Sequence, residues 1–304
     1  VVTGVFDQRT RMQASVAIST MGIEELSRMV PNSSADLLKN LPGVYVNTSS
    51  GEIGNSIYTR GLSAGSATRD GNFRYVSMQE DGLPVIGISG NVNPDYYLRA
   101  DATIAKVEAV RGGSAAILGP NAPGGIFNYI SKTGGTEFEG EVSVRGGLEG
   151  DGKNPYFRTD VNIGGPLSKD KTWTYNLGGF FRNADGAKYP GYTLSNGGQL
   201  KGNILKKYDK GSFKATVKYL NDRTAPFEYT PSVNFDDPRP APGFDNTTLV
   251  YQLSGSPATN KNILVAINFA VEPLTVKHGI NMTTGLTAGE TLSEVAGTGT
   301  DMVI

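Results

Sequence analysis

Apolar and polar residues alternate along most of the chain after about Glu137, and this limits the folds open to it. Successive side chains of a β-strand point to opposite faces, so such alternation predicts strands with one apolar face. The apolar faces comprise Val142, Val144, Leu148; Thr159, Val161, Ile163; Trp173, Tyr175, Leu177, Phe181; Leu200, Ile204, Tyr208; Phe213, Ala215, Val217 and Tyr219. The opposite faces carry Glu141, Arg145, Arg158, Asp160, Arg182, Gln199, Lys201, Asn203, Lys214 and Lys218. The pattern predicts an antiparallel sheet.

Two architectures fit these strands. A soluble sandwich and a transmembrane β-barrel share the alternation. The connections add one clue: 164–171 and 209–211 are short, whereas 147–155, 183–194 and 222–260 are longer. Short turns on one side and longer loops on the other are typical of outer-membrane barrels. The alternation continues from Ile263 to Phe269, but 283–304 is rich in Gly and Thr and shows no clear period.

Composition excludes several classes of function. Forty glycines and 14 tyrosines against one histidine indicate strands and turns. The absence of cysteine excludes disulfides and thiolate metal sites, and no metal or cofactor is predicted. A net charge of −1 offers no footprint for nucleic acid. The sequence has no apolar run long enough for a transmembrane helix. It starts at Val1 without a signal peptide, so we expect a processed or cropped end.

The main helical signal lies between Ala17 and Leu41. Met21, Ile23 and Leu26 precede a break at Pro31. Ser33 or Ser34 can cap a short helix running through Asn40, with Leu37, Leu38 and Leu41 buried.

The stretch 104–135, IAKVEAVRGGSAAILGPNAPGGIFNYISKTGG, combines two apolar strands with a run of small residues. This stretch resembles the end of the plug domain of TonB-dependent outer-membrane receptors, whose pattern is approximately I-x-R-I-E-V-x-R-G-P-x-S-x-L-Y-G-x-x-A-x-G-G-x-I-N-x-I-x-K. The matching residues are Ile104, Val107, Glu108, Val110, Arg111, Gly112, Ser114, Leu118 (one place late), Gly119, Gly124, Gly125, Ile126, Ile130 and Lys132. The sequence departs from the pattern at Lys106 and Gly113. Three earlier segments are also similar to the family: Leu41–Val44 (LPGV), Ile57–Gly61 and Gln79–Val85.

The resemblance implies an α+β plug domain, a small mixed sheet with short helices, followed by antiparallel transmembrane β-barrel strands. The implied boundaries are 1–16 for a TonB-box-like segment, 17–136 for the plug and 137–304 for the N-terminal portion of an incomplete barrel. About 168 residues follow the plug, enough for roughly six to eight strands at about ten residues each. A barrel of about eight strands is filled by its own side chains, and large plugged transporters use about 22. We therefore expect the chain to be the front part of a longer receptor, which its non-aromatic end at Met302, Val303 and Ile304 also suggests.

The resemblance also implies functional residues. Val1, Val2, Thr3, Gly4 and Val5 are similar to the TonB box, which pairs as an added strand with the TonB energy-coupling protein. Two loops of the plug touch substrate in the family, and here their residues are Arg69, Asn72, Phe73, Arg74 and Tyr75, and Asn91, Asn93, Asp95, Tyr96 and Tyr97. Arg60, Glu108 and Arg111 are expected to form a plug–barrel latch of ion pairs.

The function implied is gated import of a scarce nutrient (siderophore-bound iron, cobalamin or an oligosaccharide) across the outer membrane of a Gram-negative bacterium. The expected partners are the TonB protein, the small-molecule or oligosaccharide ligand and outer-membrane lipid, without nucleic acid and without enzymatic chemistry.

Two other classes of function are open. One is a soluble periplasmic or surface binding module that uses the same loops without transport. The other is a serine hydrolase, because Gly61–Gly65 (GLSAG) matches the G-x-S-x-G elbow around Ser63. That elbow needs a strand-turn-helix context and a histidine partner, and the sole histidine is His278 in a region without a carboxylate pattern.

Overall fold

The computed structural model describes residues 17–48, 51–64, 75–85, 97–112, 115, 122–150, 152–187, 193–224, 232–234, 236, 239–240, 259–271, 274–286 and 295–303. Val1–Val5, the predicted TonB box, lies outside the described residues.

The plug is built on a mixed five-stranded sheet in the order β1-β7-β8-β5-β6. Its strands are β1 (Ala17–Met21), β5 (Val76–Glu80), β6 (Leu83–Pro84), β7 (Ile104–Arg111) and β8 (Gly125–Ser131). β5 and β8 run parallel, and the other neighbours are antiparallel. The mixed sheet and short helices predicted for the plug are confirmed.

A second, three-stranded antiparallel sheet joins β2 (Val44–Asn47), β3 (Ser56–Thr59) and β4 (Leu62–Ala64). The described helices are short: α1 (Ile23–Ser27) and a 3-10 helix (Asp36–Leu38). The predicted serine cap is not the N-cap, which is Ala35, but the Ser33 hydroxyl accepts the Asp36 backbone N–H at 3.1 Å. Leu37, Leu38 and Leu41 are buried, as predicted.

The helical prediction is wrong for Ala17–Met21, which forms β1. These residues pair with Arg111–Val107 at the edge of the plug sheet. Ile18 and Met21 are buried there, so tertiary pairing outweighs the local helical signal.

The second half of the chain forms an eight-stranded antiparallel sheet, called here the wall, in the order β18-β17-β16-β13-β12-β11-β10-β9. Its strands are β9 (Glu139–Glu149), β10 (Asn154–Pro166), β11 (Trp173–Ala184), β12 (Ser195–Tyr208), β13 (Gly211–Arg223), β16 (Thr259–Val271), β17 (Leu274–Leu286) and β18 (Val295–Val303). A separate pair, β14 (Ser232–Val233) and β15 (Arg239–Pro240), lies between β13 and β16. Eight wall strands fit the predicted number. β9 and β18 are the two edges, so the wall is an open sheet.

The faces of the wall are the reverse of those in a soluble sandwich. On the outer face, Val142, Leu148 and Leu200 are 67%, 66% and 57% exposed. On the inner face, Lys201 and Lys218 are only 2% and 1% exposed, because the plug covers them. An exposed apolar face with a buried polar face suits a wall with lipid outside. This arrangement decides between the two architectures that the alternation left open.

The predicted alternation of short and long connections holds from β10 onward and fails between β9 and β10. The β10–β11 turn spans 167–172 and the β12–β13 turn spans 209–210, while the β11–β12 connection spans 185–194. The predicted long loop at 147–155 is wrong, since the strands extend to Glu149 and from Asn154. The predicted loop start at Asp222 is also wrong, because β13 continues to Arg223 and places Asp222 on the wall.

Candidate functional site

The predicted substrate loops are described only at one residue each. Tyr75 directly precedes β5 and is 45% exposed. Tyr97 is buried in the plug core with Leu98 and Phe127. The remaining predicted loop residues lie outside the described part: Arg69, Asn72, Phe73, Arg74, Asn91, Asn93, Asp95 and Tyr96.

The predicted latch residues Arg60 and Arg111 lie next to one another on the plug. A Cβ at Gly112 would stand 2.6 Å from Nη1 of Arg60, and a Cβ at Gly43 would stand 2.8 Å from Nη1 of Arg111. Arg111 donates to the Ser19 hydroxyl at 2.8 Å and to the Pro42 carbonyl. Partial burial lowers the pKa of Arg111, and the positive charge of Arg60 lowers it further.

The third latch residue, Glu108, forms an ion pair, whereas the two arginines do not pair with a carboxylate among the described residues. Glu108 is buried on β7 and accepts from Lys106 at 2.6 Å. Among the ion pairs of the described residues, none includes Arg60 or Arg111. The ion pairs that join the plug to the wall are made by other residues.

The first plug–wall contact, called here the lysine anchor, centres on the turn between β5 and β6. Asp81 and Gly82 form this two-residue turn with φ of 52° and 84°, and positive φ at both positions is what a type I′ hairpin requires. The turn presents the Glu80 carboxylate to the wall. Lys201 donates to one Glu80 oxygen at 2.6 Å, and Lys218 donates to the other.

Asp81 extends the lysine anchor. Lys214 lies 3.1 Å from one of its oxygens, and Lys201 lies 4.0 Å from the other. Ser131 fixes the same carboxylate through its backbone N–H at 2.9 Å and its hydroxyl at 2.6 Å. Three ammonium groups of the wall therefore converge on two adjacent carboxylates of the plug.

The second contact, called here the arginine anchor, is centred on Asp222 of the wall. One oxygen of Asp222 accepts from Arg99 at 2.6 Å and from Arg182 at 2.7 Å. Arg182 also pairs with Glu52 of the plug. Asp222 and Arg182 are both 0% exposed, so these charges depend on one another for solvation.

A third set of contacts lies beside the arginine anchor, because Arg158 pairs directly opposite Arg182 in the wall. Arg158 of β10 pairs with Asp160 through two hydrogen bonds of 2.8 and 2.7 Å and donates to the Ala100 carbonyl at 2.5 Å. Its guanidinium carbon stands 4.2 Å from the centre of the Phe180 ring. Gln199 donates to Asp101 of the plug at 2.7 Å.

Sequence reasoning identified the wall members of these anchors only as polar residues of a strand face. Lys201, Lys214, Lys218 and Arg182 were all predicted to share that face. A positively charged residue on the inward face could have indicated an ion pair with the plug, since such a charge needs a partner when it is buried. Its plug partner is distant in sequence, and no local pattern names it.

Acidification is expected to weaken the lysine anchor. Burial alone would raise the pKa of Glu80 and of Asp81, but the neighbouring ammonium groups outweigh it and hold each pKa below its ordinary value. A lowered pKa contributes stability above the unfolded pKa, about 4 for these groups, which is lost as pH falls through the folded pKa. Burial raises the pKa of Asp101, so protonation of that group on acidification stabilises the folded state, which is opposite to the effect at Glu80 and Asp81. We expect little loss between pH 7 and about 5 and a fall in the urea midpoint of plug release below about pH 4.

The measurement is a series of urea titrations between pH 7 and pH 3. Glu80→Gln serves as the comparison, because one titrating carboxylate is then missing and the acid-induced fall should be smaller. An equal fall in both proteins would contradict the assignment to Glu80.

Ser63 does not lie in the context of a hydrolase elbow. It is the middle residue of β4 and pairs with Tyr58, whereas an elbow nucleophile occupies a strand-to-helix turn. His278 lies within β17 of the wall. In the described part of the chain, no three acidic or histidine side chains cluster as a metal site would require.

None of the helices described is both long enough and apolar enough to cross a membrane.

Comparison with known proteins identifies relatives of both the plug and the wall. The family model described as TonB-dependent Receptor Plug Domain matches residues 10–126. The ferrichrome outer membrane transporter/phage receptor of Escherichia coli K12 is 25% identical over 170 residues, which cover 56% of this chain and 21% of the relative. The vitamin B12 transporter BtuB of Photobacterium profundum is 29% identical over 133 residues, which cover 44% of this chain and 20% of the relative.

Solved structures share the fold over nearly the whole chain. The siderophore receptor PirA of Acinetobacter baumannii superposes with a TM-score of 0.63 at 17% identity, covering 93% of this chain and 43% of that one. The ferric enterobactin receptor PfeA of Pseudomonas aeruginosa, as its R480A mutant, gives 0.62 at 16% identity, covering 90% and 42%. The chain thus spans less than half of these structures and about a fifth of the curated relatives. The family match places a TonB-dependent receptor plug domain at residues 10–126. With the reversed faces of the wall, the fold shared with the solved structures is a plug followed by strands of an outer-membrane β-barrel.

Proposed function

We propose that this chain is part of a TonB-dependent transporter that imports a scarce nutrient past a gated plug. One observation carries the proposal: the plug is held against the polar face of an outward-apolar wall by buried ion pairs. Glu80 and Asp222 make contacts of this kind with Lys201 and Arg99. Such contacts keep the plug in place, and their rearrangement would open a path along the inner face.

The proposed boundaries follow the sequence prediction: a TonB-box-like segment at 1–16, a plug at 17–136 and barrel strands from 137. The gap between the end of β8 at Ser131 and the start of β9 at Glu139 supports the second boundary. The two open edges of the wall, and the size of the plug relative to eight strands, support the proposal that further strands complete the barrel. The complete receptor is the protein in which transport is to be tested.

We propose the two plug loops, Arg69 to Tyr75 and Asn91 to Tyr97, as the substrate-binding segments. The exposed ring of Tyr75 supports the assignment of the first loop to substrate binding. The ring of Tyr97 is buried, which supports a role for that residue at the base of the second loop. The names of the relatives favour siderophore-bound iron or cobalamin as substrate over an oligosaccharide.

Arg60 and Arg111 remain proposed latch residues. Their guanidinium groups lie close together, and like charges in proximity favour a nearby anion. We propose that carboxylates of further barrel strands supply it, with Glu108 holding Lys106 in the same strand.

The TonB box is tested by deleting Val1–Val5 in the complete receptor. We expect the deletion to leave ligand affinity unchanged and to abolish energised uptake, because edge pairing with the coupling protein needs this backbone. Uptake of the radiolabelled ligand by cells, beside binding to purified receptor, separates the two effects.

Replacing 1–5 by an unrelated segment of equal length is the control for chain length, and it should fail in the same way. Normal uptake by the deleted receptor would exclude the TonB-box assignment. A soluble binding module, the alternative considered from sequence, is not favoured, because apolar residues such as Val142 and Leu148 cover the outer face.

A further inference from the structure

Five lysines cluster at the end of the wall that carries the short turns. Lys169 and Lys171 lie in the β10–β11 turn, Lys206 and Lys207 near the end of β12, and Lys210 in the β12–β13 turn. All are exposed except Lys206, which is half-buried. We call them the turn lysines.

The turn lysines are poorly neutralised. Asp170 and Asp209 are the acids of the same two turns, so five positive charges face two negative ones there. Glu139 and Glu141 of β9 lie at the same end of the wall, on its inner face. Asp170 uses its oxygens inside the turn, accepting from the hydroxyls of Ser168 and Thr172; these hydrogen bonds lower the pKa of Asp170 to about 2. Within the described residues, no turn lysine takes part in an ion pair.

Lys206 places this charge at the edge of the lipid-facing surface. It lies on the outer face of β12, in register with Trp173 of β11 and Phe213 of β13. Its ammonium stands 5.3 Å from the centre of the Trp173 ring and donates to the Thr172 hydroxyl at 2.6 Å. Tryptophan beside a cation is typical of the boundary between hydrocarbon and headgroups.

The apolar band begins directly beside this boundary. On the same face of β12, Ile204 and Leu200 are 38% and 57% exposed, and Leu177 of β11 is 42% exposed. Leu167, in the turn itself, is 57% exposed. A single molecule with an acyl chain and an anionic headgroup could therefore contact both the apolar band and the turn lysines.

We propose that the turn lysines bind the headgroups of anionic phospholipids in the periplasmic leaflet. Short turns face the periplasm in barrels of this kind, and that leaflet is where phospholipid headgroups would meet them. Lysines near an anionic surface bind it through charge and lose that attraction when salt screens them. The site depends on the barrel strands and not on transport.

The test is native mass spectrometry of the purified, delipidated complete receptor titrated with phosphatidylglycerol or with phosphatidylcholine. We expect phosphatidylglycerol to bind more tightly, and Lys206→Gln with Lys210→Gln to weaken it about 25-fold, taking about 1 kcal/mol for each lysine. Asp209→Asn adds positive charge and should strengthen the binding.

Lys153→Gln is the matched control, since Lys153 is an exposed lysine in the β9–β10 connection at the other end of the wall, and its loss should leave the titration unchanged. Circular dichroism verifies that each variant keeps its strands, and ligand uptake is measured separately, so failure of the lipid site is distinguishable from failure of transport. Equal binding of the two lipids, or equal weakening by Lys153→Gln and by Lys206→Gln with Lys210→Gln, would overturn the proposal.

Discussion

Replacing Glu80 by glutamine is expected to destabilise the docking of the plug by about 3–5 kcal/mol. The substitution preserves the shape of the side chain but removes the charge that neutralises Lys201 and Lys218. Both lysines are almost fully buried, at 2% and 1% exposure, so water cannot replace the lost partner. The penalty is chiefly the cost of leaving buried ammonium groups uncompensated.

The measurement is urea-induced release of the plug in the complete receptor. This chain has no cysteine, so Asn40→Cys, at an exposed position on the plug, introduces a labelling site that is unique within it. A nitroxide on that cysteine reports when the plug becomes mobile. We expect Glu80→Gln to release the plug at a clearly lower urea concentration than the parent.

Glu141→Gln is the matched control for Glu80→Gln. Glu141 also joins the plug to the wall, through Lys132 at 3.1 Å, but its side chain is 58% exposed. A solvated pair of this kind contributes about 0–1 kcal/mol. Equal effects of the two substitutions would contradict the lysine anchor. Adding Lys201→Met and Lys218→Met to Glu80→Gln should restore much of the loss, because the stranded charges are then removed.

Asp222→Asn is expected to cost about 3 kcal/mol, at the lower end of the range for a buried pair. Arg182 retains its contact with Glu52, and Arg99 retains its bond to the Leu98 carbonyl at 2.9 Å, so neither guanidinium is left wholly unpaired. Arg99 lies two residues after the loop proposed to bind substrate (Asn91 to Tyr97), so the substitution should also weaken ligand binding.

A double-mutant cycle with Asp222→Asn and Arg99→Met measures the coupling directly. A coupling energy above about 1 kcal/mol would support the arginine anchor, whereas additive effects would contradict it. Asp185→Asn, at a partly exposed position just after β11, is the control for loss of a carboxylate at the same end of the wall. It should change neither docking nor binding.

The anchors suggest why charges rather than apolar contacts join the plug to the wall. A buried ion pair is often no more stabilising than an apolar pair of the same size, but a misplaced buried charge is costly, so the pair favours one alignment. Glu80 accepts both Lys201 and Lys218, which fixes the β5–β6 turn at one height on the wall. Such an interface is stable when each carboxylate meets its cation, and a shift of the plug along the wall would leave these charges unpaired.

The predicted strands were recovered where the alternation was regular, as in Trp173–Phe181 and Phe213–Tyr219. The prediction failed where tertiary contacts determine the structure. Ala17–Met21 is a strand because β7 pairs with it. Asp222 is part of β13, because the strand continues past the apparent loop signal as far as Arg223.

The sequence alone determined the strands of the wall and which side chains share a face, because the two-residue period follows from backbone geometry. It also located the plug, through the matching residues in 104–132. Only the tertiary structure decided which face points outward and which carboxylate meets which cation. Glu80 is 121 positions from Lys201 and 138 from Lys218, and contacts over such separations depend on how the plug seats in the wall. No local sequence pattern encodes how the plug sits in the wall. A charge requires a partner only once it is buried, and these charges are buried only after the chain has folded.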